Sequence, residues 1–174
     1  MKRLTLIIAL LVATVFTTNA QSVVAKREFN NTLKVYFETK NALAKDNVAQ
    51  ASESVKALLS NLDSFPVKTL SEAQQMVWKT EAEAVKKAAL AISTEKGIKA
   101  QRQSFWPLSS AMIKLAKSFN MNNEVIYVQY CPMAKKSWLS EVESVQNPFY
   151  GSMMYNCGEV TETIAKPARP AGGK

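Results

Sequence analysis

The sequence predicts a mainly α protein: an antiparallel up-down-up-down four-helix bundle, followed by a short C-terminal segment of strand and loops that carries both cysteines. Three observations predict this class. Four consecutive stretches show helical periodicity, the connections between them are short, and the pattern becomes β-branched and aromatic after residue 123. The 174 residues are enough for one domain with its own core.

The first twenty residues have the three-part pattern of a secretory signal peptide. Residues 1–3 (MKR) are basic, residues 4–17 are apolar apart from threonines, and residues 18–20 (TNA) are a cleavage signal before Gln21. The apolar run is shorter than the roughly 20 residues that a membrane-spanning helix needs. We therefore predict a signal peptide over residues 1–20, a periplasmic location, and no stable membrane insertion after cleavage.

We predict a single helical domain over residues 21–164, with helices at about 23–45, 47–62, 71–94 and 98–119. Apolar residues of the first helix recur every three or four positions from Phe29 to Leu43. Asp46-Asn47 interrupts this stripe and offers side-chain oxygens that can cap the second helix. The second helix ends before Asp63-Ser64-Phe65-Pro66, because proline cannot continue it.

The third and fourth helices are predicted from a capping signal and from their apolar stripes. Ser71 and Gln74 have the spacing of a capping box at the start of the third helix, which continues toward Gly97. The fourth helix carries an apolar stripe that ends at Phe119. Pro107 lies inside this helix and is expected to kink or split it, because proline has no N–H to donate.

Residues 124–164 form a segment rich in cysteine and methionine. Its first part, residues 124–130 (EVIYVQY), is typical of a short strand. Asn147-Pro148 and Tyr150-Gly151 are turn signals, which indicate an ordered, loop-rich region rather than a fifth helix. The last ten residues, 165–174 (AKPARPAGGK), are predicted to be a disordered tail.

The composition excludes many enzyme classes. The chain has no histidine, which removes Ser-His-Asp and Cys-His catalysis, haem bound through histidine, and zinc sites built on imidazole. No phosphate-binding glycine loop or calcium loop is present either, so we predict no enzymatic activity. The net charge of +8 is spread along the helices of an exported chain, which argues against nucleic acid as a partner.

The cysteines and three of the seven methionines lie between positions 131 and 157. Cys131 and Met133 project together if the strand continues through Pro132, and Met154 and Cys157 project together in a helical turn. Two such pairs facing each other place two thiolates and two thioethers around one point. Soft sulfur ligands select Cu(I) or Ag(I). The sequence therefore predicts these four residues as ligands of a soft metal ion.

A disulfide is the competing interpretation of the same cysteines. A secreted chain with two cysteines most simply forms one bridge, here Cys131–Cys157. Closing this loop contributes about 3.5 kcal/mol of stability in the chain-entropy model. The function is then that of a disulfide-stapled protein-interaction domain without metal. Both interpretations stay open at this stage.

Six motifs occur in a characteristic order along the chain: VYFE (35–38), FWPLS (105–109), YVQYCPM (127–133), WLS (138–140), NPFYG (147–151) and MYNCG (154–158). With them the sequence resembles a bacterial family known only as a domain of unknown function. Its members occur as small exported proteins and as a terminal domain of periplasmic adaptors of heavy-metal efflux pumps.

The resemblance implies a helical periplasmic domain with a role in copper or another soft metal. The positions that match the sulfur motif of the family are Cys131, Met133, Met154 and Cys157. The expected function is therefore a Cu(I)- or Ag(I)-binding module or chaperone, and the expected partner is a periplasmic efflux adaptor or another metal-transfer protein.

Overall fold

The computed structural model describes residues 2–168, and side chains from residue 23 onward. The elements are helices α1 (Lys2–Ala44), α2 (Val48–Asp63), α3 (Glu72–Thr94) and α4 (Ile98–Phe119), and strands β1 (Ile126–Cys131), β2 (Lys136–Ser140) and β3 (Glu159–Ile164), with short 3-10 turns at Val67–Thr69 and Gly151–Met153. The mainly α class is confirmed. Most of the predicted disordered tail, residues 169–174, lies outside the described residues.

The helix boundaries follow the capping signals of the sequence. Asn47 caps α2 by accepting a hydrogen bond of 3.0 Å from the N–H of Gln50, and Ser71 and Gln74 form the predicted capping box of α3. The exception is the start of α1, which begins at Lys2 instead of residue 23. No glycine or proline occurs before Ala44, so nothing in the local sequence ends the helix between the predicted signal peptide and the bundle.

Helix α4 continues through Pro107, so of the two outcomes expected for this proline, a kink or a split, the split does not occur. Pro107 lies on the exposed face of the helix, as does Gln103 four residues earlier. Water can therefore reach the Gln103 carbonyl, which loses its helical donor at this proline. The opposite face carries the core residues of α4 and is not interrupted.

The core contains two groups of aromatic rings, one within the bundle and one that joins the bundle to the C-terminal sheet. At one end of the bundle, Phe65 stacks on Trp78 with a centroid distance of 4.0 Å. At the other end, the Phe149 ring lies 5.7 Å from Phe105 of α4 and 5.9 Å from Trp138 of β2. Burial of these large rings supplies much of the apolar area that holds the sheet on the helices.

The sheet has the strand order β2-β1-β3, and both pairings are antiparallel. Strand β1 begins and ends slightly later than predicted, and β2 and β3 were not predicted as strands. Strand β2 is a short, partly polar sequence (KSWLS), and β3 (EVTETI) is mostly exposed, so neither has the apolar content of a typical strand. Pairing with β1 is what makes them strands.

Lys40 of α1 is a buried charge that ties α1 to the residues around β2. Its side chain is 0% exposed, and its Nζ lies 3.0 Å from Glu141 Oε2, 3.2 Å from Gln146 Oε1 and 3.5 Å from Ser140 Oγ. Burial lowers the pKa of Lys40, and the neighbouring Glu141 carboxylate opposes that shift. The buried ammonium group is therefore stabilised by these partners, and the Glu141 carboxylate is in turn stabilised by the Lys40 cation.

Replacing Lys40 by alanine is expected to reduce the free energy of unfolding by about 3 kcal/mol, because it leaves a cavity and removes the cation that faces Glu141. Lys34→Ala, an exposed position of the same helix, is the matched control and should change stability by less than about 0.5 kcal/mol. Urea unfolding followed by circular dichroism measures both values. Equal effects of the two substitutions would contradict the structural role of Lys40.

Candidate functional site

The fold brings the two cysteines together at one end of the sheet. Cys131 is the last residue of β1, and Cys157 lies two positions before β3, which pairs with β1. The two Sγ atoms are 3.0 Å apart, and both cysteines are free thiols. Cys131 is fully buried, whereas Cys157 is half-buried. Solvent and solutes therefore approach the pair from the side of Cys157.

The turn after β1 directs backbone N–H groups at the sulfur of Cys131. The interpretation from the sequence required the strand to continue through Pro132, but β1 ends at Cys131. Residues 132–135 instead form a turn, which Lys135 closes by donating its N–H to the Cys131 carbonyl at 2.8 Å. The N–H of Ala134 lies 3.4 Å from Cys131 Sγ. Because Pro132 has no N–H, the chain can reverse here without leaving a donor unsatisfied.

These donors give the two thiols different acidities. Burial raises the pKa of Cys131, but hydrogen bonds from the Cys157 thiol, the Ala134 N–H, the Asn147 side chain and the Met133 N–H outweigh it, so the pKa is lowered. The pKa of Cys157 is raised, mainly because its proton is donated to Cys131. Cys131 is therefore the more acidic thiol of the pair and the first to lose its proton.

Asn147 holds the loop that carries Cys157. Its Nδ2 donates to the Cys157 carbonyl at 2.7 Å, and its Oδ1 accepts from the N–H groups of Phe149 and Tyr150 at 2.8 and 3.2 Å. Gly158 has φ +147°, and a Cβ there would lie 2.9 Å from the Tyr130 carbonyl oxygen. The sequence marks the Asn-Pro pair as a turn, but only the structure shows that this turn braces the cysteine loop.

The two predicted methionine ligands, Met133 and Met154, differ in exposure and in the contacts that they make. Met133 contributes its backbone N–H to the thiols, but its side chain is 63% exposed and lies in a surface groove. Met154 is half-buried, and its carbonyl accepts the N–H of Cys157 at 3.0 Å, which closes a turn at the predicted spacing. Of the four predicted ligands, Cys131 and Cys157 are thus brought together, with their sulfur atoms 3.0 Å apart.

An ion pair between the buried Arg102 and the exposed Asp46 fixes the loop beside the thiols to the helices, and sequence reasoning missed it. Arg102 of α4 donates to the carbonyls of Pro148 at 2.9 Å and Leu43 at 2.7 Å, and pairs with Asp46 at 2.5 Å. Asp46 also accepts the N–H of Ser152 at 3.0 Å. Hydrogen bonds from Ser152, together with the Arg102 guanidinium, lower the pKa of Asp46 to about 2.

The donor set of the site suits a soft ion. Among the described side chains, those of residues 23–168, no group of three or more histidine, cysteine, aspartate or glutamate side chains is placed to hold a metal. Thiolates prefer soft ions such as Cu(I) or Ag(I). Two sulfur ligands at about 2.3 Å from a tetrahedral centre lie about 3.8 Å apart, so the thiols must separate by about 0.8 Å to admit an ion.

Comparison with protein-family models shows which family the chain resembles. The model of a family described as "Protein of unknown function (DUF3347)" matches residues 32–124, which is more than half of the chain. The match begins within α1, continues through α4, and ends before the strand that carries Cys131. No curated protein and no solved structure matches the chain. In the part of the chain that the structure describes, no helix has the length and apolar character needed to cross a bilayer.

Proposed function

We propose that this chain, which belongs to the DUF3347 family of proteins of unknown function, binds one Cu(I) or Ag(I) ion in the periplasm and passes it on. The thiolates of Cys131 and Cys157 are the tight ligands, and the thioethers of Met133 and Met154 are the weaker ones. The observation that carries the proposal is the 3.0 Å approach of two free thiols beside the N–H donor of Ala134. The role is binding and transfer, not catalysis.

The different acidities of the thiols support a stepwise uptake. Cys131 is the more acidic thiol and supplies the first ligand, whereas Cys157 must release its proton as the second bond forms. Release to a partner then proceeds by ligand exchange, in which the partner's sulfur ligands replace the thioethers first. The motif resemblance described above supports a periplasmic efflux adaptor, or another metal-transfer protein, as that partner.

Anaerobic titration of the reduced chain with Cu(I), in competition with a chromophoric chelator, tests the proposal. We expect one equivalent to bind tightly. The affinity should rise with pH by about tenfold per unit for each thiol proton that is displaced, because the raised pKa of Cys157 keeps this proton bound at neutral pH. A reduced chain that leaves all the Cu(I) with the chelator would refute the proposal.

The same short approach of the sulfur atoms favours a second candidate, the disulfide-stapled interaction domain. A thiol oxidant that removes two electrons and two protons from the pair would form a Cys131–Cys157 bridge with only small movements of the sulfur atoms, which are 3.0 Å apart. Thiol titration and intact mass of protein isolated from the periplasm, before and after reduction, distinguish the candidates. Two sulfurs that are unreactive as isolated, and that bind no Cu(I) after reduction, would favour the staple. Free thiols that bind one equivalent favour the ion site.

A further inference from the structure

A surface groove of about 410 Å³ lies next to the thiol pair, between the start of α4 and the turn after β1. We call it the methionine groove. Its apolar lining residues are Ile98, Met133, Ala134, Phe149, Tyr150 and Met153. A volume of this size accommodates one or two side chains of a bound segment rather than a folded domain.

Positive charge surrounds this apolar lining. Lys99 and Lys136 line the groove, and none of its lining residues is acidic. Lys136 Nζ lies 5.2 Å from the centre of the Phe149 ring, which places a cation directly over the apolar floor. Among the described residues, neither lysine forms an ion pair, whereas the third cation, Arg102, is neutralised by Asp46. The groove therefore complements a ligand that is both apolar and acidic.

The methionines make the apolar part of the groove adaptable. Met133 is 63% exposed and Met153 is 73% exposed, although both are large apolar side chains. Unbranched thioether side chains reshape easily around a partner, and they are used for this purpose on protein-binding surfaces. Met133 and Met153 line the same groove and leave most of their apolar surface exposed there.

We propose that the methionine groove docks an extended acidic segment of a partner protein. One apolar side chain of the segment, such as methionine, inserts between Met133 and Met153, and flanking carboxylates pair with Lys99 and Lys136. Ala134 connects this surface to the thiols, because it lines the groove and its N–H donates to Cys131 Sγ. The docked segment thus contacts Met133, itself one of the proposed ligands, and Ala134, whose N–H donates to Cys131 Sγ. Docking needs no metal, but its use in ion transfer rests on the proposed function.

A synthetic peptide tests the docking with the metal-free full chain. The probe is an acetylated and amidated nonapeptide with a central methionine flanked on each side by four glutamates. We expect saturable binding by isothermal titration, with NMR shifts of the Met133 and Met153 methyl groups. Replacing the central methionine by serine, or all glutamates by lysines, should weaken binding by at least about tenfold.

Charge reversal on the protein provides the matched control. Lys99→Glu/Lys136→Glu should weaken peptide binding by at least about tenfold, whereas Lys34→Glu/Lys79→Glu, with the same change in net charge on other helix faces, should change it by less than about twofold. Equal loss in both double variants, or no saturable binding of the peptide, would overturn the proposal.

The ion site is tested separately from the docking. Cys131→Ser/Cys157→Ser protein should bind the peptide as the unmodified chain does, and a chain that fails to bind the peptide can still take up Cu(I).

Discussion

The double substitution Cys131→Ser/Cys157→Ser is expected to lower the affinity for Cu(I) by at least about 100-fold. Serine has nearly the shape of cysteine but supplies a hard hydroxyl in place of a soft thiolate. Both sulfur atoms that approach to 3.0 Å are removed, and the thioethers of Met133 and Met154 alone bind weakly. Competition with a chromophoric chelator, performed anaerobically on the reduced chain, measures the loss.

Methionine variants separate the contribution of the thioethers. Met133→Leu and Met154→Leu should each weaken Cu(I) binding by about tenfold if their sulfur atoms ligate the ion, while Met76→Leu, at a 69% exposed position of α3, should leave it unchanged. Thermal unfolding of each variant shows that the fold is kept. Unchanged affinity of the double cysteine variant would remove the thiols from any ion site.

Gly151→Ala is expected to destabilise the chain by about 3 kcal/mol and to lower the unfolding temperature by roughly 6–12 °C. Gly151 has φ +58°, a conformation that a side chain disfavours. An added Cβ would also overlap the Arg102 guanidinium and lie 2.5 Å from Asp46 Oδ1. Arg102 is buried, so the displaced guanidinium cannot regain its hydrogen bonds from water. Scanning calorimetry measures the shift.

Gly97→Ala is the control for this substitution. Gly97 precedes α4 with φ −119°, and a Cβ there meets nothing within 4 Å. Its replacement should cost no more than about 1 kcal/mol, the loss typical of an N-cap glycine. A Gly151→Ala protein as stable as Gly97→Ala would show that the Arg102–Asp46 pair does not hold the loop rigidly.

Local patterns in the sequence were sufficient for the helices and for most of their ends. Helical periodicity and capping depend on residues three or four positions apart, so Asn47 and the Ser71–Gln74 pair could be interpreted without knowledge of the fold. Pro107 shows the limit of a local rule. Whether a proline splits a helix depends on whether water reaches the freed carbonyl, and that depends on which face is packed.

The residues themselves established a mainly α domain, a chain without histidine, and a segment with two thiols and three thioethers. The tertiary structure alone decided that Cys131 and Cys157 touch and that the Met133 side chain faces a surface groove. It also decided that Arg102 secures the loop that lies between the two cysteines in the chain. The physical reason is that these residues are far apart in the sequence. These contacts join residues 26 to 59 positions apart, and their geometry depends on strand pairing and packing rather than on neighbours in the chain.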